Sequence, residues 1–295
     1  MRLKTAIIGS GNIGCDVLCK VLKSPVLDCA LFAGRSAASP GLAFARKHGV
    51  AVTGRGAEGL MAALDRFDLV FDATSSAAHQ AHAPALQAAG KTLINLTPAP
   101  NGAACVPSLN GDALIGAPNI NMITCGGQAS IPIAQAMTAA NPEIRYIEVV
   151  SSISAESAGP ATRLNLNHYI ETTEAALARF TGCRQVKAIL NINPAKPNVF
   201  MQTAVSALAD RHDLGATEAA IAQAVEKLRA AVPGYDITVE PHVTGERLFT
   251  MVRVTGAGDY LDPSAGNLDI ITAAATRMAE AIARERARQP MESVA

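Results

Sequence analysis

Through roughly the first 120 residues, short apolar runs alternate with stretches of helical period. The runs Leu3–Ile8, Leu27–Ala33, Val50–Thr53, Leu69–Ala73 and Lys91–Leu96 are too short and too uniformly apolar for amphipathic helices, and they predict buried strands. Between them, Asn12–Leu22, Ser39–His48, Gly59–Phe67 and Ala77–Ala89 carry helical periodicity, and Gly49 and Gly90 supply two of the stops. Strands that are apolar on both faces and separated by helices predict a parallel sheet covered on both sides.

After Cys125 the pattern changes. Helices are predicted over Gln128–Ala140, Asn167–Phe180 and Thr217–Ala231, with longer strands at Arg145–Ile153 and Val186–Ile192. Asp236–Val243 and Leu248–Val254 alternate in the manner of antiparallel partners. A long closing helix, Asn267–Arg288, ends in a charged stretch. The chain therefore reads as α/β. An N-terminal unit, residues 1–124, carries the parallel sheet; a second, α+β unit spans 125–264; and a C-terminal segment, 265–295, packs back on the first.

Composition narrows the function classes. Of 295 residues, 49% are hydrophobic and 17% charged, which excludes a disordered chain. Lys+Arg and Asp+Glu stand at 25 each, so no bulk charge is available to hold nucleic acid or an anionic membrane. No apolar run approaches the ~20 residues that span a bilayer. The N-terminus passes straight into a strand pattern without a signal-peptide core, so a cytoplasmic protein is expected. Six cysteines (Cys15, Cys19, Cys29, Cys105, Cys125 and Cys183) form no CxxC pair and no Cys/His ligand spacing, and neither a metal site nor a disulfide framework is expected.

Gly9-Ser10-Gly11-Asn12-Ile13-Gly14 follows the first strand and opens the first helix. Glycines there permit a tight turn and close backbone approach to a pyrophosphate, which the helix N-terminus then holds. The N-terminal unit thus reads as a Rossmann dinucleotide-binding domain. At the end of the second strand, Ala33-Gly34-Arg35-Ser36 lacks the acid that holds the adenosine ribose in NAD-binding proteins. Arg35 and Ser36 suit a 2′-phosphate, and an arginine over the adenine serves NAD equally well, so NAD and NADP both stay open. Thr74, in Asp72-Ala73-Thr74-Ser75-Ser76, falls at the carboxyl edge of the sheet, where ligands bind; Ser75 or Ser76 is also a natural N-cap.

The sharpest local feature is Asn121-Met122-Ile123-Thr124-Cys125-Gly126-Gly127-Gln128-Ala129-Ser130-Ile131-Pro132. A cysteine at a helix N-terminus is expected to have a lowered pKa. The paired glycines are expected to admit substrate and free backbone N–H groups for an oxyanion, and Pro132 is expected in the first helical turn. Cys125 reads as a nucleophile, with a buried structural thiol as the alternative. The turn Ser157-Ala158-Gly159-Pro160-Ala161-Thr162-Arg163-Leu164-Asn165 offers a polar cluster for a carboxamide or phosphate, or an ordinary strand-to-helix connection. Asn267 reads first as an N-cap. No histidine is placed to serve the cysteine: His79 and His82 share an alanine-rich helix, and His168 reads as a helix-surface residue.

Taken together, GSGNIG, NMITCGGQASIP, SAGPATRLN, VPGY at 232–235 and AGNLDI at 265–270 resemble the acylating acetaldehyde dehydrogenases almost end to end. Those enzymes partner a 4-hydroxy-2-oxovalerate aldolase in aromatic degradation. The resemblance implies a Rossmann domain and an α+β catalytic and oligomerisation domain, shared in architecture with aspartate-semialdehyde and glyceraldehyde-3-phosphate dehydrogenases. It implies a homo-oligomer, a nicotinamide cofactor, coenzyme A as co-substrate, and Cys125 as the acyl-thioester nucleophile. It also implies that Ser10 to Ile13, Ser157 to Asn165 and Asn267 contact the cofactor, with Asn165 near the nicotinamide and the reacting carbonyl. The chain departs from the family at Arg35-Ser36, where an acid is common. It departs again at Thr203, where an aspartate proposed to assist the cysteine is common, and a threonine is no base near neutral pH. Glu240–Arg247 also replaces a longer loop.

The expected reaction is oxidation of a short aldehyde, acetaldehyde first, to acyl-coenzyme A. The thiolate of Cys125 attacks, and the oxyanion is held by N–H groups near Gly126 and Gly127 and by Asn165. Two other readings remain: a phosphorylating semialdehyde dehydrogenase on the same scaffold, and a non-catalytic NAD(P)-binding sensor or structural partner of an aldolase.

Overall fold

The computed structural model describes residues 2–288, apart from the side chains of Pro160 and Ala161; residues 289–295 of the expected closing segment lie outside the described residues. The N-terminal half alternates β1 (Leu3–Ile8), α1 (Asn12–Lys23), β2 (Leu27–Ala33), α2 (Pro40–Lys47), β3 (Val52–Thr53), α3 (Gly56–Met61), β4 (Leu69–Asp72), α4 (Ser76–Ala88) and β5 (Thr92–Asn95). Three short elements, β6 (Ala103–Ala104), α5 (Pro107–Asn110) and β7 (Asn119–Asn121), complete it. The seven strands pair in parallel in the order β3-β2-β1-β4-β5-β7-β6. Ile7, Phe32, Phe71, Ile94 and Ile120 fill one face of this sheet, while Ala6, Ile8, Val70 and Leu93 fill the other. That double burial is why the strands read as unbroken apolar runs.

From β1 the chain steps outward through β2 and β3, then returns to pair β4 on the other side of β1. The carboxyl ends of β1 and β4 therefore diverge at a topological switch point, which opens a crevice. One expected helix, Gly59–Phe67, is replaced by α3 and a separate 3-10 turn at Leu64–Arg66. Gly59 lies inside α3 and packs on Thr53, whose hydroxyl would lie 2.3 Å from any Cβ at that position.

The second half comprises α6 (Cys125–Ala140), β8 (Tyr146–Ser154), α7 (Pro160–Leu164), α8 (Leu166–Thr181), β9 (Gln185–Asn193), β10 (Met201–Leu208), α9 (Leu214–Arg229), β11 (Tyr235–Thr244), β12 (Arg247–Val254) and α10 (Gly266–Arg288). Its mixed sheet runs β11-β12-β10-β8-β9, parallel only between β8 and β9. As expected, β11 and β12 form an antiparallel hairpin, turning at Gly245 with φ 59°. The central strand β10 was not among the expected elements. Its inward positions Met201, Thr203 and Val205 alternate with Gln202 and Ala204, a weak period-2 signal in small residues. Helices α6, α8 and α9 pack on one face of this sheet.

The long helix α10 crosses back to pack on α1 and α6. Lys20 on α1 ties the crossing. Its ammonium donates to Asp16 (3.0 Å), to Asp259 (3.1 Å) and to Asp269 in the first turn of α10 (2.7 Å), all nearly buried. Burial alone would lower the Lys20 pKa, but the surrounding carboxylates hold it well above the usual lysine value.

Candidate active site

A cleft of about 950 Å3, counting its open mouth, lies at the switch point. One wall comes from Gly11, Asn12 and Ile13 at the start of α1, Ala73 and Thr74 after β4, and Leu96 to Pro98 after β5. The other comes from Ile123 to Cys125, from Ser157, Gly159 and Thr162, from Tyr169 on α8, and from Asn267, Leu268 and Ile271 on α10.

The three motif glycines do different work. A Cβ on Gly9, whose φ is 111°, would lie 2.3 Å from the Ala73 carbonyl oxygen, and one on Gly14 would lie 1.8 Å from the Gly9 carbonyl oxygen. Both glycines are required by protein packing. A Cβ on Gly11 would meet nothing within 4 Å, yet Gly11 lines the cleft. Space is thus kept at the helix N-terminus itself, where a pyrophosphate fits. A second fit comes from Asn267. It lies inside α10 as the second helical residue, so it is not the N-cap expected, and its Oδ1 is buried without a partner while the residue lines the cleft. An orphaned acceptor there suits the amide donor of a carboxamide. The residues present therefore fit a nicotinamide dinucleotide.

Other expected contacts scatter. Ser10 turns its hydroxyl to Ser39 (2.7 Å). Arg35 and Ser36 are exposed beyond β2, outside the cleft lining. Ser157, Gly159 and Thr162 come into the cleft, whereas Leu164 is 84% exposed. Arg163 donates to the carbonyls of Ala158 (3.1 Å) and Ala155 (2.8 Å), bracing the loop from within. Asn165 stands at the junction of α7 and α8, and its carbonyl accepts from the Tyr169 amide. It is not among the residues lining the cleft. For Pro160 and Ala161 only the backbone, inside α7, is described.

Thr74 is held from behind by a buried cluster that no spacing in the sequence announces. Asp72 Oδ1 accepts from the Thr74 amide (3.0 Å) and hydroxyl (2.6 Å). Asp72 Oδ2 accepts from His79 Nδ1 (2.8 Å) and His82 Nε2 (2.5 Å). The two histidines lie one turn apart on α4, facing the strand end, and Ser75 caps that helix through the Ala78 amide. Burial opposes ionisation of Asp72, but the two imidazole donors outweigh it and hold the carboxyl well below the usual range.

Cys125 heads α6. Before it, Ile123 adopts a left-handed φ of 64°, a costly conformation for a β-branched residue, and its amide donates to Asn121 Oδ1 (2.7 Å). That turn aims Thr124 and Cys125 into the cleft. Thr124 caps the helix through the Gly127 amide (2.9 Å), which starts α6 at Cys125 and leaves Pro132 two turns inside it instead of in its first turn.

Two further expectations about this loop need correction. The Gly126 amide donates to the Tyr169 hydroxyl (2.9 Å), and the Gly127 amide to Thr124, so neither N–H is free for an oxyanion. The glycines make room for protein, not for substrate: a Cβ on Gly126 would lie 2.2 Å from the Tyr169 hydroxyl and 2.8 Å from that of Ser151. The Cys125 thiol is also raised in pKa, not lowered. Burial, with 9% exposure remaining, outweighs the Tyr169 hydroxyl and the amides of Gly126 and Cys125, which pull the other way. Tyr169 Oη stands 3.7 Å from Sγ. Thr203 is fully buried on β10 and hydrogen-bonds Ser151 (2.9 Å) behind Gly126.

Known proteins resemble this chain at the level of both sequence and fold. The family profile described as "Prokaryotic acetaldehyde dehydrogenase, dimerisation" matches residues 125–262. An acetaldehyde dehydrogenase of Pectobacterium atrosepticum is 48% identical over 287 residues, 97% of each chain. One from Spirochaeta aurantia is 48% identical over 96% of this chain and 95% of its own, and one from Burkholderia pseudomallei is 49% identical over 94% of each. The crystal structure of aspartate semialdehyde dehydrogenase II from Vibrio cholerae superposes with a TM-score of 0.64 at 13% identity, covering 99% of this chain and all of that one, a likeness of fold. By near full-length identity to these relatives, the chain belongs to the acetaldehyde dehydrogenase family.

Proposed function

We propose that the protein oxidises acetaldehyde to acetyl-coenzyme A through a thioester on Cys125, with NAD or NADP as oxidant. The observation that carries this reading is one cleft holding a helix-terminal cysteine, an open glycine at the nucleotide helix and an orphaned carboxamide acceptor. Residues 1–124 serve as the dinucleotide domain and 125–264 as the catalytic one, with 265–288 of the closing segment returning to the first.

Cys125 thiolate adds to the aldehyde carbon. The S–C bond forms, and the carbonyl pair moves to oxygen. With Gly126 and Gly127 engaged elsewhere, the Cys125 amide beside the sulfur is the backbone donor at the new oxyanion. A nicotinamide held in this cleft would supply the hydride acceptor needed to take the adduct to the thioester level. Gly11, Asn12 and Ile13 would hold the pyrophosphate and Asn267 the carboxamide, while Thr74, fixed by Asp72, lines the same cleft. Coenzyme A, having lost its thiol proton to solvent, then attacks the acyl carbon as thiolate; the new S–C bond forms as the bond to Cys125 breaks, and Cys125 leaves as thiolate. The apolar side chains of Ile123, Leu96 and Ile271 at the cleft suit a small aldehyde and limit water.

Homodimerisation through residues 125–262, a cytoplasmic setting and supply of the aldehyde by an aldolase belong to the same proposal. Among the described residues no helix is long and apolar enough to cross a membrane.

Aldehyde-dependent reduction of the dinucleotide, assayed with coenzyme A or phosphate supplied separately, tests the reading. Turnover is expected with coenzyme A. Cys125→Ala should bind dinucleotide and form no thioester detectable by mass spectrometry. Turnover with phosphate alone would favour the phosphorylating alternative, and normal turnover by Cys125→Ala would remove the cysteine from the mechanism.

A further inference from the structure

We propose that the Tyr169 hydroxyl is a catalytic group that donates a hydrogen bond to the Cys125 thiolate, and that it takes the place of a charged partner in making this buried sulfur ionisable. The proposal deepens the reading of Cys125 as nucleophile and rests on it.

The geometry begins with what surrounds the sulfur. Among the described residues lining the cleft, Cys125 and Tyr169 are the titratable ones, with no carboxylate, imidazole, lysine or arginine beside them. The elements packed around α6 add no charge at Sγ. Ser151 and Thr203 from β8 and β10 are neutral and bonded to each other. Thr173 from α8 is bonded to Thr124 and to the Tyr169 carbonyl. Arg163 is spent on the carbonyls of Ala155 and Ala158. A thiolate at 9% exposure therefore depends on dipoles.

Tyr169 is arranged to supply the strongest of them. Its hydroxyl oxygen accepts from the Gly126 amide at 2.9 Å, which occupies an acceptor lobe and leaves the O–H proton to turn to Sγ at 3.7 Å, with the Thr124 hydroxyl as its other neighbour. The chain keeps this site clear at the expense of every side chain at position 126, because any Cβ there would collide with that hydroxyl. Burial and the adjacent cysteine raise the Tyr169 pKa well above its ordinary value, so the phenol remains a donor and does not compete for the charge. The same bond serves twice: it favours the attacking thiolate, and it receives that thiolate again when coenzyme A displaces the acyl group.

The test reads the sulfur directly. The rate of iodoacetamide alkylation at Cys125 is followed by peptide mass spectrometry against pH in the wild-type protein, in Tyr169→Phe, and in a protein carrying 3-fluorotyrosine at position 169 alone. Removing the hydroxyl should raise the midpoint by about one unit, which slows alkylation about tenfold at any pH below it. Fluorination keeps the shape and strengthens the donor, and should lower the midpoint. An unchanged midpoint in Tyr169→Phe, or a shift of the same sign in both variants, would overturn the proposal. Because alkylation needs no aldehyde and no coenzyme A, a wild-type protein inactive toward both would sink the functional reading while leaving this result to stand or fall separately.

Discussion

Gly11 offers the clearest separation between space kept for a ligand and space kept for the fold. Gly11→Ala places a methyl where no protein atom comes within 4 Å, on a backbone with φ −87° and ψ −169° that any residue adopts. Alanine is a poorer N-cap than glycine, a loss of about 1 kcal/mol or less. Reduced freedom of the unfolded chain returns about 0.4–1 kcal/mol. The two nearly cancel, so the urea midpoint should scarcely move. Binding should behave differently. A phosphate oxygen held by amides at the start of α1 sits about 3 Å from nitrogen, and a methyl on that backbone would press inside the carbon–oxygen contact distance. A loss of at least tenfold in NAD affinity, about 1.4 kcal/mol, is expected. Gly14→Ala is the control, since its Cβ would stand 1.8 Å from the Gly9 carbonyl oxygen. That crowding should cost about 1–3 kcal/mol of stability before any ligand is considered. Calorimetric titration with NAD and NADP, beside urea unfolding, separates the outcomes. Wild-type affinity in a fully folded Gly11→Ala protein would show that the pyrophosphate does not pass over this residue, and the placement of the nucleotide would have to be abandoned.

Asp72→Asn removes the charge shared by His79 and His82 and presents a donor where two donors already converge; disrupting such a buried pair costs about 3–5 kcal/mol. Because the folded carboxyl titrates far below its unfolded value near 3.9, its contribution is complete above that value and drains away as pH falls toward the folded pKa. The gap between wild-type and Asp72→Asn urea midpoints should therefore be full at pH 6 and shrink below about pH 4; a gap unchanged at pH 3 would contradict the assignment. Arg35→Ala tests the choice of cofactor: if the exposed guanidinium holds a 2′-phosphate, NADP affinity should fall about tenfold while NAD affinity holds. Equal losses for both would place Arg35 over the adenine instead.

The N-terminal half was legible because burial on both faces wrote each strand as an apolar run, and β1 and β2 begin and end where the pattern said. What escaped was written in weaker signals. Strand β10 is central in its sheet, yet between Met201, Thr203 and Val205 it carries Gln202, Ala204 and then Ser206, residues with little β character. Strands β6 and β7 are two and three residues long, shorter than any periodicity can register. The Asp72 cluster needed the turn of α4 to bring residues 79 and 82 over a strand end. No spacing rule announces that, although an acid at a strand terminus followed by HxxH in the next helix is a pattern that can be sought.

At the cysteine, the sequence motif pointed to a thiol that does line the cleft, but the physics expected of it was wrong. A helix N-terminus contributes fractions of a unit charge, worth about 0.3–1 kcal/mol where water competes and up to about 2 in partly buried geometry. Burying an ion costs several kcal/mol, so at a cysteine with 9% exposure desolvation decides the direction, as the raised thiol shows. The dipole is also divided, because Gly126 and Gly127 spend their amides on Tyr169 and Thr124. A cysteine followed by two glycines therefore does not by itself mean room for substrate and donors to spare. Here the missing side chains admit a tyrosine hydroxyl from another helix, 44 residues away in the chain, and only the folded structure reveals that the sulfur's nearest titratable neighbour is a phenol. Charge at this site is governed by hydrogen-bond donors that are themselves neutral, so its reactivity should respond to single hydroxyl deletions far more than to the loss of any distant arginine or lysine.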